Sequence, residues 1–177
     1  MNAPRFVHLR LHSEFSITDG VVRLDDAVKR AVKDGMPALG MSDLMNLFGM
    51  VKFYKSCRNK GIKPIVSADI WLENEEDRDK PYRLLLTAKN REGYRRLCEL
   101  LTEAFSHNQY RGRAEIKRAW LESGDNSNLL CLSGAHLGDV GMALAMAQRE
   151  EAQRRAAYWE KLFPGSFYLE VQRVDSA

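Results

Sequence analysis

Residues Phe6, His8, Arg10 and His12 alternate with Val7, Leu9 and Leu11, the period of an extended strand with two unlike faces. His8, Arg10 and His12 could bind a metal ion, a phosphate or a carboxylate, and the segment runs into Ser13-Glu14-Phe15-Ser16 and then Asp19-Gly20. Phosphoester hydrolysis at a metal centre would need more than this one segment. Several His and carboxylate ligands must hold cations at about 2 Å, so that a bound water is acidified and the phosphate is clamped. Further polar residues that could join such a site are Asp43, Asp69, Ser133-Gly134 and Arg173.

These positions gain meaning from the elements that would carry them. Strand patterns fall at residues 5–12, 38–41, 62–72, 82–88, 128–132 and 166–172. Between them lie helical stripes. Leu24, Ala27, Val28, Ala31 and Val32 form the first and end before Gly35; residues 49–59, with Val51, Phe53, Tyr54 and Cys57, form the second and end before Gly61. Asn90 is placed to cap a third helix with the stripe Tyr94, Leu97, Cys98, Leu101 and Phe105, and residues 142–163 read as one long helix with Met142 and Met146 in the core. Residues 73–80 form an acidic loop. Such alternation predicts an α/β protein with a parallel sheet. His12, Asp43, Asp69, Ser133-Gly134 and Arg173 then all fall at the C-terminal ends of strands, where parallel folds build their ligand sites.

Bulk properties exclude several classes. At 177 residues, 45% hydrophobic and 29% charged, the chain has material for one globular core, and no apolar run approaches the roughly 20 residues that span a bilayer. The N-terminus lacks signal-peptide character, so the expected location is the cytoplasm, with no membrane contact. Cys57, Cys98 and Cys131 are odd in number, far apart and set among apolar neighbours, as reduced core residues are. A formal charge of +3 does not by itself mark a nucleic-acid binder, and the basic runs at residues 89–96 and 111–118 read as solvated helix faces. His8 is expected to pack away from the site, His107 to sit at a helix end and His136 in an exposed loop.

The order and spacing of Arg5-Phe6-Val7-His8-Leu9-Arg10, Pro37-Ala38-Leu39 through Asp43, Asn46-Leu47-Phe48-Gly49, the stretch 62–69 and Leu132-Ser133-Gly134 resemble the amino-terminal polymerase and histidinol phosphatase (PHP) domain of bacterial replicative DNA polymerase III alpha subunits. The resemblance implies a parallel βα barrel-like fold, here an incomplete barrel, forming a single domain over residues 1–177 at the start of a much larger polymerase subunit. It also implies a ligand set against which this chain can be compared. Arg10 stands where active members carry a His, His12 keeps the second His, and Asp19 keeps the loop ligand. Asp43 remains, but Leu44 replaces the His after it; Asp69 stands for a Glu, Ala135 for a Cys or His, and Val174 for a His.

Leu, Ala and Val offer no lone pair, and Arg keeps its proton at any accessible pH. The expectation is therefore a vestigial metal site with no catalytic residue and no bound cofactor, in which Arg10 pairs with Asp19, Asp43 or Asp69. The favoured function is a structural domain that supports the polymerase core and docks the proofreading exonuclease subunit. Magnesium and DNA would belong to the parent enzyme, whose nucleotidyl-transfer carboxylates lie in a downstream palm domain. Two alternatives are weighed against it: an active metal-dependent phosphoesterase or proofreading exonuclease, and a DNA-binding module using Arg111, Arg113, Lys117 and Arg118.

Overall fold

The first strand pattern of the sequence does not become a strand. In the computed structural model, which describes residues 6–172, the extended segment from Phe6 to His12 runs beside β1 (Ala38–Met41) without forming a ladder. Gly40 N–H donates to the His8 carbonyl at 2.7 Å and Ser42 N–H to the Leu11 carbonyl at 2.9 Å. Leu11 N–H instead donates to the Ser42 hydroxyl at 3.0 Å, and this side-chain bond interrupts the backbone pairing that the alternation suggested. A Cβ on Gly40 would lie 2.6 Å from the Leu9 carbonyl oxygen, so glycine allows the two segments to approach.

The chain divides between Asp69 and Ile70 into two compact units. In the first, α1 (Leu24–Lys33) buries Leu24, Val28 and Ala31 against Leu39, Met41, Phe53, Cys57 and Ile62. It carries Asp25 and Asp26 in its first turn and Arg30 and Lys33 in its last, each opposite in sign to the helix end it occupies. Helix α2 (Met50–Asn59) turns Phe53, Ser56 and Cys57 inward. Strand β2 (Lys63–Leu72) pairs parallel to β1 from Ala38↔Lys63 to Met41↔Val66, and the register continues past β1 to a bridge between Leu44 and Asp69. That continuation brings Asp43 and Asp69 to the same end of the two strands.

In the second unit β3 (Tyr82–Ala88) is followed by α3 (Arg91–His107), and Asn90 caps the helix by accepting from Gly93 N–H at 3.0 Å, as expected. A two-residue hairpin missed by the strand patterns joins β4 (Gln109–Tyr110) to β5 (Arg113–Ala114), with Arg111 at φ 50 and Gly112 at φ 78. A short helix, α4 (Arg118–Glu122), precedes β6 (Leu129–Leu132). Strand β6 pairs antiparallel to β3 and parallel to β7 (Phe167–Tyr168), so this part of the sheet is mixed. The strand predicted over 166–172 shortens to β7 because Glu170 N–H donates to the Ser133 hydroxyl at 3.0 Å rather than to a strand carbonyl. Beyond this point Leu169 and Val171 are exposed.

The helix predicted over 142–163 is two helices, α5 (Asp139–Ala145) and α6 (Arg149–Leu162). Gln148 N–H bonds the Ala143 carbonyl and Ala147 N–H the Leu144 carbonyl, both at 2.9 Å, with Ala147 at φ 59. This is a Schellman ending with alanine at the left-handed position usually taken by glycine. The break leaves Met146 exposed at 62%, which corrects its expected place in the core.

Candidate functional site

The site is built in the first unit, where a tight loop meets the ends of β1 and β2. After His12 the chain turns back on itself: Ser16 N–H bonds the Ser13 carbonyl at 2.8 Å, Asp19 N–H the Ser16 carbonyl at 3.0 Å, and Glu14 N–H the Val22 carbonyl at 2.8 Å. Gly20 is required here, since a Cβ would fall 1.7 Å from the Ser13 carbonyl oxygen. Asn46 ties the loop down by donating to the Phe15 carbonyl at 3.1 Å.

Arg10, His12, Asp19, Asp43, Leu44 and Asp69 are assembled around this loop. The Arg10 guanidinium donates to Asp69, whose side chain is 1% exposed. His12 lies between two carboxylates, Nε2 at 3.0 Å from Asp69 Oδ2 and Nδ1 at 2.8 Å from Asp19 Oδ2. Burial pushes the His12 pKa down, but the bonds and charges of Asp69 and Asp19 together outweigh it and raise the pKa above 6.5. In the imidazolium form both ring nitrogens donate, which satisfies both carboxylates.

Asp43 is fully buried and is held by Ser13, from the backbone N–H at 2.6 Å and from the hydroxyl at 2.9 Å. Burial raises its pKa against the lowering effect of those two bonds. Ser16 completes the set, donating its hydroxyl to Asp19 Oδ1 at 2.7 Å while accepting from Leu44 N–H at 2.8 Å. The sequence reading passed over Ser13 and Ser16 as partners. The available signal was a serine on each side of Glu14-Phe15, with Asp19 three residues after the second, a spacing suited to local hydroxyl–carboxylate bonds.

Ala135 is in the second unit, buried at φ 50 after left-handed Gly134, and carries only a methyl group. Val174 and Arg173 lie outside the described residues. His8 is exposed and stacks edge-on against Phe6 at 4.7 Å, rather than packing inward. His107 is 3.6 Å from Glu103 near the end of α3, and His136 is exposed. Cys57 and Cys131 are buried and Cys98 half-buried, all unbridged, and burial pushes the Cys57 thiol up to about 11.

The basic run near residue 111 is committed to other contacts. Arg113 Nε donates to buried Glu115 at 2.8 Å, Arg118 Nη2 to buried Asp139 at 2.7 Å, and Arg111 Nη1 to Asp79 at 2.7 Å. Arg113 and Arg118 are thereby tied to buried carboxylates, while Arg111 pairs with an exposed one.

The model of the PHP domain matches residues 8–174. The chain belongs to the PHP domain family. Similar proteins include the DNA polymerase III subunit alpha of Neisseria meningitidis serogroup A, 50% identical over 175 residues and 98% of this chain, and that of Escherichia coli K12, 39% identical over 174 residues and 98% of this chain. The chain spans 15% of the length of each. Among solved structures an amidohydrolase from Chromobacterium violaceum aligns over 55% of this chain and 32% of its own, with a TM-score of 0.45 and 14% identity, too loose a likeness to carry an argument about the site.

The metal centre that the resemblance attributes to active PHP domains can be tested against these donors. Leu44 and Ala135 have no lone pair to give. Both ring nitrogens of His12 already face carboxylates, and the permanently charged Arg10 guanidinium donates to Asp69. At about 4 Å from Arg10, even a single positive charge meets a repulsion of roughly 4 kcal/mol at an effective dielectric near 20. The donor set of this PHP domain does not fit a multi-cation centre. Among the described residues, no helix is long and apolar enough to cross a membrane.

Proposed function

We propose that this chain is the amino-terminal PHP domain of a replicative DNA polymerase alpha subunit and that it performs no chemistry of its own. The observation that carries this reading is the Arg10–Asp69 ion pair at two positions where active family members place metal ligands. In place of cations, Arg10 and His12 supply the positive charge that allows Asp19 and Asp69 to sit together, and the loop from Ser13 to Val22 is fixed as a structural element. Likeness to polymerase III alpha subunits supports the parent activity, DNA-templated DNA synthesis in replication, with magnesium bound downstream of this domain and DNA engaged through the parent protein. On this reading the domain supports the polymerase core, docks the proofreading exonuclease subunit and works in the cytoplasm.

The test is elemental analysis of the purified chain together with phosphodiesterase and phosphatase assays in magnesium, manganese and zinc. The expected result is substoichiometric metal and no turnover. Stoichiometric transition metal with turnover abolished by His12→Ala would overturn the reading in favour of an active phosphoesterase.

A further inference from the structure

Helix α2 presents a face to solvent that the site does not use. With Phe53, Ser56 and Cys57 directed inward, Val51, Tyr54, Lys55 and Arg58 fall on the opposite side at helical spacing, and Phe48 sits in the turn just before them. Phe48 is 67% exposed, Val51 56% and Tyr54 47%. Lys55 and Arg58 are also exposed, and among the described residues neither side chain makes a hydrogen bond or ion pair.

The local charge is one-sided. Between Leu44 and Ala68 the sequence has five basic residues, Lys52, Lys55, Arg58, Lys60 and Lys63, and no Asp or Glu. The acidic groups that reach α2 from neighbouring elements lie to its sides: Glu14 pairs with Lys52 at 3.1 Å, and Asp25 accepts from the inward-facing Ser56 at 2.8 Å. Neither neutralises Lys55 or Arg58.

Unpaired cations interleaved with solvent-facing rings match a ligand that offers phosphates and flat, unstacked bases at once. A duplex, whose bases are stacked inside, would engage only the cations. An acidic peptide would satisfy the charge but give the rings no flat partner. We propose that the outward face of α2 binds single-stranded nucleic acid, with Lys55 and Arg58 on the phosphates and Tyr54 and Phe48 as stacking platforms.

The experiment is fluorescence anisotropy of the 177-residue chain with a labelled oligothymidylate about a dozen nucleotides long, titrated over a range of potassium chloride concentrations. Two neutralised phosphates on a single strand give a log–log salt slope of about −1.4. Lys55→Glu with Arg58→Glu should weaken binding by at least about tenfold, and Tyr54→Ala with Phe48→Ala by at least about fivefold. The aromatic pair should leave affinity for an abasic oligomer of the same length unchanged, and Arg95→Glu, an exposed change on α3, should leave oligothymidylate binding unchanged. Circular dichroism checks that each variant is folded. The proposal is overturned by indifference to the charge reversals, by equal affinity for the abasic oligomer, or by tighter binding of a polyglutamate peptide, which would assign the face to an acidic protein partner.

Discussion

Two buried aspartates, one in each unit, are held by arginine, and they differ in what else holds them. Asp139 accepts from Arg118 at 2.7 Å, from the Trp159 indole N–H at 2.9 and 3.0 Å and from Val140 N–H at 2.8 Å, all donors that keep their protons throughout the physiological range. The Arg118 guanidinium also lies 4.9 Å from the Trp159 ring. Asp69 is held by Arg10 and by His12, a donor that titrates near neutrality and is itself tied to the loop through Asp19. A buried carboxylate needs a cation in both places, but only Asp69 has a pH-dependent partner, His12.

The two clusters should respond differently to loss of their donors. Arg118→Ala leaves Asp139 buried without its cation and should lower unfolding stability in urea by about 3–5 kcal/mol. Arg10→Ala should cost less, roughly 2–3 kcal/mol, because its side chain is 20% exposed and water can reach the stranded carboxylate. A reversed order would show that the Asp69 cluster, rather than the Asp139 network, is the more dependent on its arginine. Ser13→Ala removes one of the two Ser13 bonds to Asp43 and should cost about 1–2 kcal/mol while raising the Asp43 pKa further, which carboxyl NMR titration would detect.

The smallest effect concerns pH. The folded-state pKa of His12 is raised above 6.5, so its stabilisation is fully present below about pH 6.5 and is lost as pH rises through the folded value. His12→Ala should therefore destabilise most in mild acid and least in alkali, whereas the penalty of Trp159→Phe, which removes a non-titrating donor from Asp139, should stay level over the same range. Equal pH profiles for the two variants would remove the distinction between the clusters.

Two helix ends show why some boundaries were legible and others were not. Helix α1 closes with Gly35 at φ +67, its N–H on the Val32 carbonyl at 3.0 Å and Met36 N–H on the Ala31 carbonyl at 2.9 Å. Helix α5 closes with the same bond pattern around Ala147 at φ 59. Glycine announces such an ending because it takes a left-handed conformation without strain, while alanine carries no such mark, so the pattern over residues 142–163 runs on without a visible stop. Ala147→Gly should accordingly stabilise the protein by about 1 kcal/mol, and Gly35→Ala should destabilise it by a similar amount, measurable as opposite shifts in urea midpoint.

Periodicity, capping chemistry and residue type are local properties, and they were enough for the α/β class, for strands 38–41 and 82–88 to the residue, for the Asn90 cap and for the meeting of Arg10, His12, Asp19 and Asp69. The expectation that Arg10 pairs with a carboxylate left Asp19, Asp43 and Asp69 as candidate partners. Tertiary structure decided among them: the parallel register that brings Leu44 opposite Asp69 sets Asp69 beside Arg10 and His12, while Ser13 holds Asp43 and Ser16 holds Asp19. It also replaced the first strand with a segment whose pairing is interrupted by the Ser42 hydroxyl, and it committed Arg113 and Arg118 to buried carboxylates. These outcomes depend on which polar atoms meet across 30 or more residues of chain in some cases, and on backbone bonds given up to side chains in others, neither of which has a period or a spacing in the sequence.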